Sequence, residues 1–199
     1  MSITLVLGLG NPGREYADTR HNIGWHVLDA LVSRENLTWK AQPSFMAETT
    51  RWDHPTGHSV LLAKPQSFMN ESGQAARLLT SYFKVTNANV VLVYDDLNID
   101  LGLIKVSVRG SAGGHNGVSD VIAKLGDGFQ RFRIGIGPRY PAQMDLKDFV
   151  LGKFTSEQRL IVQQHIPTYL SGLDLLLNSG SEQAMNLLNR RDQNESQQT

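Results

Sequence analysis

The side chains in this sequence with the most chemical capacity are a histidine near the start, two adjacent carboxylates and several asparagines beside glycine-rich turns. His21 sits in GLGNPGREYADTRHNIG, residues 8–24, with Asn11, Tyr16 and Asn22. An imidazole, with an ordinary pKa of ~6.5, is well suited to move a proton at neutral pH. At a helix start, unpaired N–H groups and the positive dipole end push it toward the neutral form that a general base needs. Taken alone, such a histidine is more often a cap or a satisfied polar group. Asp95 and Asp96 end the apolar run NVVLVY. Neighbouring strand residues point to opposite faces, so the two do not make an acid/base pair or a two-carboxylate metal site. One carboxylate beside an imidazole would fix its tautomer and steady its charged form.

Two further segments bring polar groups to turns. RGSAGGHNG, residues 109–117, is the most glycine-dense stretch, and a glycine turn opening a helix suits an anion or a developing oxyanion. Asn116 is expected to cap that helix. His115 is either a second base or, more economically, a hydrogen-bonding group within the turn. In QSFMNESG, residues 66–73, Asn70 is a natural N-cap. The functional alternative places it in a cleft beside exposed Phe68 and Met69. No G-x-S-x-G elbow surrounds Ser67, Ser111 or Ser119, which speaks against a serine esterase. The absence of cysteine removes thiolate chemistry.

These groups need elements to hold them. The apolar run 3–9 predicts a buried strand. Ile23, Val27, Leu28 and Leu31 predict a helix over 20–35, capped by Asp18 or Thr19. Strands are expected at 45–52 and 59–64, with His54 and His58 solvated in the hairpin between them. A helix after Asn70 would bury Ala75, Leu78, Leu79 and Tyr82. Strands at 89–94, 103–108 and 131–137 flank a helix at 116–125. Residues 147–154 form a short apolar cluster that suggests a lid. A helix over 156–178 would bury Ile161, Leu170, Leu173 and Leu177 and be disturbed at Pro167; another covers 181–189. Strands alternating with helices give an α/β fold, with ligands at the carboxyl edge of the sheet. Gly8, Gly10 and Gly13 match the dinucleotide fingerprint. The helix starts too late for that role, and no acidic residue ends a second strand ~20 positions on. NAD is therefore not expected.

At 199 residues, 40% hydrophobic and 19% charged, the chain fits one globular domain over 1–190. The tail 191–199, without an apolar residue, is expected to be disordered. No apolar stretch reaches the ~18 residues of a membrane span, and the start lacks a basic signal-peptide region. Both are compatible with the cytoplasm. Net charge is +0, so a polyanion would be gripped locally. Residues 101–150 hold seven Lys/Arg against four Asp/Glu, which points to Lys105, Arg109, Arg131, Arg133 and Arg139.

GLGNPGREYADTRHNIG, PQSFMNESG, VYDDLNIDLG, GSAGGHNG, FRIGIG and FVLGKF, in this order and spacing, resemble the bacterial peptidyl-tRNA hydrolases. The likeness runs from Leu5 to about Phe154. It implies a single α/β domain with a mixed, twisted sheet between helices, acting as a monomer; no metal and no cofactor are expected. The implied activity is hydrolysis of the ester between a peptide and the 3′ ribose of tRNA. The family's base falls on His21 and its supporting carboxylate on Asp95. Its substrate contacts fall on Asn11, Tyr16, Phe68, Asn70 and Asn116, with Asn11 associated with telling a blocked amino group from a free one. Lys105, Arg109 and Arg133 are the expected phosphate contacts. The chain departs from the usual pattern at Ser67, Asn98, Asp100-Leu101 and Ser107. A non-catalytic RNA- or protein-binding module on the same fold, like the plastid splicing factors, is the alternative.

Overall fold

The computed structural model describes residues 3–55 and 57–190. β1 (Ile3–Gly8) is its central strand. Its alternation sorts side chains between two cores: Val6 faces one side of the sheet, and Leu5 and Leu7 the other. The remaining strands are β2 (Lys40–Gln42), β3 (Ala47–Asp53), β4 (Ser59–Pro65), β5 (Val90–Asp100), β6 (Ile104–Ser107) and β7 (Gln130–Gly137). They form a mixed seven-stranded sheet in the order β2-β3-β4-β1-β5-β7-β6. β1 runs parallel to β4 and β5, and β5 parallel to β7. β2, β3 and β6 pair antiparallel at the margins.

The helices are α1 (Ile23–Arg34), α2 (Ser72–Phe83), α3 (Asn116–Leu125), α4 (Leu146–Leu151) and α5 (Ser156–Leu188). α1, α4 and α5 cover one face through Leu28, Phe149, Tyr169 and Leu173. α2 and α3 cover the other through Leu79, Val118 and Val121. Each fully buried side chain of this size contributes about 1.5–3 kcal/mol. β1 therefore feeds a helix on one face while β4 feeds a helix on the other. That reversal opens a crevice at the carboxyl ends of β1, β4 and β5.

Several expectations need correction. Thr19 does not cap with its side chain; its hydroxyl donates to the Tyr16 carbonyl. Phe45 lies in a 3-10 turn before β3 rather than in the strand. His54 is buried with its ring edge-on to Trp52, and burial lowers its pKa. Tyr82 is 68% exposed, because the buried stripe of α2 rotates through Ala75, Ala76 and Leu79. α5 passes through Pro167 and breaks instead at Gly180 (φ 79°, ψ 170°). Its packed face, from Val162 to Leu176, holds the helix across the one missing hydrogen bond. Ile161 falls off that face and is exposed. Just past α5, the Asn189 side chain bonds both the N–H and the C=O of Val106, covering part of the free edge of β6. The expected disorder of 191–199 lies outside the described residues. Among the described residues, no helix is long and apolar enough to cross a membrane.

Candidate active site

The crevice is a cleft of about 770 Å³. His21 reaches it from a 3-10 turn, Arg20–Asn22, that leads into α1. Gly24 lets this turn lie close to the sheet: a Cβ there would run into the Val93 carbonyl and lie 2.8 Å from that of Leu9. The register β1–β5, Gly8 opposite Val93, then sets Asp95 two residues further along beside the turn. His21 Nδ1 lies 2.8 Å and 3.0 Å from the two Asp95 oxygens.

Asp95 is buried and serves a second imidazole. His115 Nε2 lies 3.0 Å from Asp95 Oδ1, while His115 Nδ1 accepts the Val118 N–H at 3.3 Å. Burial opposes ionisation of Asp95, but the charges and hydrogen bonds of His21 and His115 outweigh it and hold the carboxyl well below its usual range. An ionised carboxylate only accepts. His115 therefore carries its proton on Nε2, and His21 carries one on Nδ1. In the neutral ring of His21 this leaves Nε2 with a free lone pair, on a residue that lines the cleft.

Asn11 is fixed on three sides. Its N–H donates to Asn22 Oδ1 at 2.8 Å, and its C=O accepts from Asn22 Nδ2 at 2.9 Å. Its own Oδ1 accepts the Met69 N–H at 2.7 Å. Nδ2 is then the side-chain donor left for a ligand. Tyr16 and Phe68 meet edge to face at 6.3 Å on the cleft wall, and Asn70 and Asn116 also line the cleft. Asn70 is not an N-cap: α2 starts two residues later, after a 3-10 turn from Met69 to Glu71. The cap of α3 is His115 rather than Asn116. Phe68 is exposed, as the cleft reading expects, whereas Met69 is buried. Asp96 points away from Asp95, as strand alternation requires, and accepts from Arg133 Nε at 2.8 Å.

The cationic residues are held in different ways. Arg131 is buried, and its guanidinium holds the carbonyls of Gly110 and Ser111, shaping the glycine turn. Arg133 is tied to Asp96. Lys105 pairs with Arg133 across β6–β7, and Arg109 is exposed. Two things are absent from the sequence reading: the His115–Asp95 bond and the clamp of Asn22 on Asn11. The stretch 147–154, suggested there as a lid, supplies Lys147, Val150 and Leu151 to the cleft wall, with Leu146 just before it. His115 had been singled out by type, but nothing local to it shows that the sheet places it against Asp95. Among the described residues, His21, Asp95 and His115 are the one group whose ligand atoms could surround a metal ion, all within 4.8 Å. A metal there would have to displace both protons that Asp95 accepts.

Fold and site define a class: an α/β protein whose carboxyl-edge cleft presents an imidazole nitrogen, freed by a buried carboxylate, among amide donors. Comparison with known proteins narrows it. The family model for peptidyl-tRNA hydrolase matches residues 5–197, and the chain belongs to that family. It is 42% identical over 183 residues to the peptidyl-tRNA hydrolase of Mycobacterium tuberculosis, covering 92% of this chain and 95% of that one. It is 37% identical over 193 residues to that of Lachnoclostridium phytofermentans, covering 96% and 98%. The crystal structure of peptidyl-tRNA hydrolase from Acinetobacter baumannii superimposes with a TM-score of 0.87 at 35% identity, covering 94% and 95%.

Proposed function

We propose that this protein hydrolyses the ester joining a peptide, or an N-blocked amino acid, to the 3′ ribose of tRNA, with His21 as general base. The observation that carries the mechanism is the shared carboxylate: Asp95 accepts from both His21 and His115. Neutral His21 takes a proton from water through Nε2 as the water oxygen attacks the ester carbonyl. Asp95 steadies the imidazolium that forms. The tetrahedral intermediate collapses with cleavage of the bond to the ribose oxygen, which receives the proton from His21. The products are free tRNA, returned to translation, and a peptide carboxylic acid, which ionises by releasing its proton to solvent. An ester has a good enough leaving group that no covalent intermediate is required.

Asn11, Asn70 and Asn116 supply amide donors for the peptide main chain and the developing oxyanion, and Tyr16 and Phe68 form the apolar part of the wall. A free α-ammonium would bring an uncompensated charge to a site fitted to a neutral amide, which is costly. Lys105, Arg109 and Arg133 contact tRNA phosphates. The protein acts as a cytoplasmic monomer without metal or cofactor. The relatives bear the name peptidyl-tRNA hydrolase, and the binding-module alternative finds no support in them.

The test is release of N-acetyl-amino acid from N-acetyl-aminoacyl-tRNA by wild type and His21→Ala. The variant should lose about 10²–10⁴-fold in kcat while binding tRNA nearly as well. Full activity in His21→Ala would remove the base assignment. Wild type that releases nothing would remove the function.

A further inference from the structure

Arg20, the residue before the base, is buried without a carboxylate. It is 8% exposed, and among the described residues no acid lies within ion-pair distance. Instead its guanidinium stacks over Phe149, 4.6 Å from the ring centroid, and lies 5.5 Å from that of Phe154. One nitrogen donates to the Phe149 carbonyl at 3.2 Å, and another to Gln158 Oε1 at 2.8 Å. Nε has no partner. Taking a cation out of water without a counter-ion is expensive, so an arginine kept here needs a reason.

What it touches supplies one. Phe149 belongs to α4, whose other residues Leu146, Lys147, Val150 and Leu151 line the cleft. A six-residue helix does not hold itself. Asp145 caps its first turn. Its last turn is held by Arg20, through the side-chain bond to the Phe149 carbonyl and a backbone bond from the Arg20 N–H to the Gly152 carbonyl at 3.0 Å. A cation at a helix C-terminus also meets the negative dipole end. Glycine at 152 leaves room for this fit: a Cβ there would lie 2.8 Å from Arg20 Nη1. Thr19 and Lys153 complete the seam with a β-bridge. The turn carrying His21 and one wall of the cleft are thus joined along one seam, in which Arg20 is the buried side chain beside the backbone links.

We infer that Arg20 is a positioning residue: it fixes the α4 wall against the turn that carries His21, so that bound acyl substrate meets Nε2 in one register. This rests on the hydrolase reading above. Arg20 touches neither substrate nor reacting atoms; it acts through α4. A side chain that merely held the fold would, when replaced, lower the fraction of active protein and therefore kcat, leaving KM alone. A residue that positions the wall moves KM.

The test compares wild type, Arg20→Met and Gln158→Ala in N-acetyl-aminoacyl-tRNA hydrolysis, with amide hydrogen exchange followed over α4 and the sheet. Arg20→Met should raise KM about 10-fold with a smaller fall in kcat, within the range of misplaced binding groups. Exchange at Leu151 and Gly152 should quicken while the amides of β1 and β5 stay protected. Gln158→Ala removes one of the two acceptors together with the α5 capping bond from the Thr155 N–H, and should raise KM about threefold, on the scale of a lost hydrogen bond. If Arg20→Met does not fold, Gln158→Ala decides on the same readout. A folded Arg20→Met with KM within twofold of wild type, or with unchanged α4 exchange, overturns the inference. Wild type that releases no product sinks the hydrolase reading, and this role in it, whatever α4 exchange shows.

Discussion

The inner end of the cleft and its basic flank are built on opposite plans. At the inner end, His21, Asn11, Asn22 and Asp95 are all buried, and each is held by a partner from another segment. At the flank, Lys105 and Arg133 are half-buried on β6 and β7 and Arg109 is exposed; Arg133 already shares its charge with Asp96. Bond-making chemistry depends on placement, where a shift of ~1 Å can cost ~10²-fold. Phosphate binding depends on charge summed over several contacts and is screened by salt. Damage to the inner end should therefore be steep, and damage to the flank graded.

Asp95→Asn, after loss of the base itself, should show the largest effect. An amide can offer the imidazole a donor and so favour the wrong tautomer, and kcat should fall about 10²–10⁴-fold, measured as product release at saturating substrate. The same variant should change stability against pH. The folded-state pKa of Asp95 lies below its unfolded value. Its ionised form therefore stabilises the fold fully above the unfolded pKa of ~3.9, and that contribution is lost as pH falls toward the folded pKa. Below about pH 4, denaturant titrations should show wild type losing stability more steeply than Asp95→Asn.

A smaller effect, on selectivity more than rate, is expected for Asn11→Ala. Its preference for N-blocked over free aminoacyl-tRNA should narrow about 10-fold, the worth of one buried hydrogen bond with a charge at stake. Unchanged selectivity would place discrimination elsewhere in the cleft. Arg109→Ala should do least: about a threefold rise in KM, equal across substrates, with the salt slope of tRNA binding reduced by about 1. A loss as steep as at Asp95 would erase the contrast between the two ends.

How far the sequence foretold this arrangement follows the same division. Apolar periodicity placed β1, α1, β7 and the start of β5 within a few residues, because burial on the sheet is written into every second or third position. The polar continuation of β5 from Asp95 to Asp100 has no such pattern. Strand alternation alone separated Asp95 from Asp96. The resemblance to a family supplied the partnership of His21 and Asp95, which spacing could not: the two lie 74 residues apart. The His115–Asp95 bond depends on how the turn after β6 folds back, with Arg131 gripping its carbonyls from β7. No local pattern encodes that. The exposed face of Tyr82 and the passage of α5 through Pro167 were misread for a related reason: tertiary packing overrode local preference. Arg20 lies inside the first motif beside the base, yet its role appears only once α4 is docked beside it.

Two imidazoles bonded to one carboxylate leave one nitrogen of His21 bare. Nitrogen-15 NMR of histidine-labelled wild-type protein, at a pH where both rings are neutral, reads this directly. His21 should carry its proton on Nδ1 and His115 on Nε2, with both protons lost to fast exchange or shifted in Asp95→Asn. A His21 ring protonated on Nε2 instead would leave no base facing the substrate, and would contradict the mechanism.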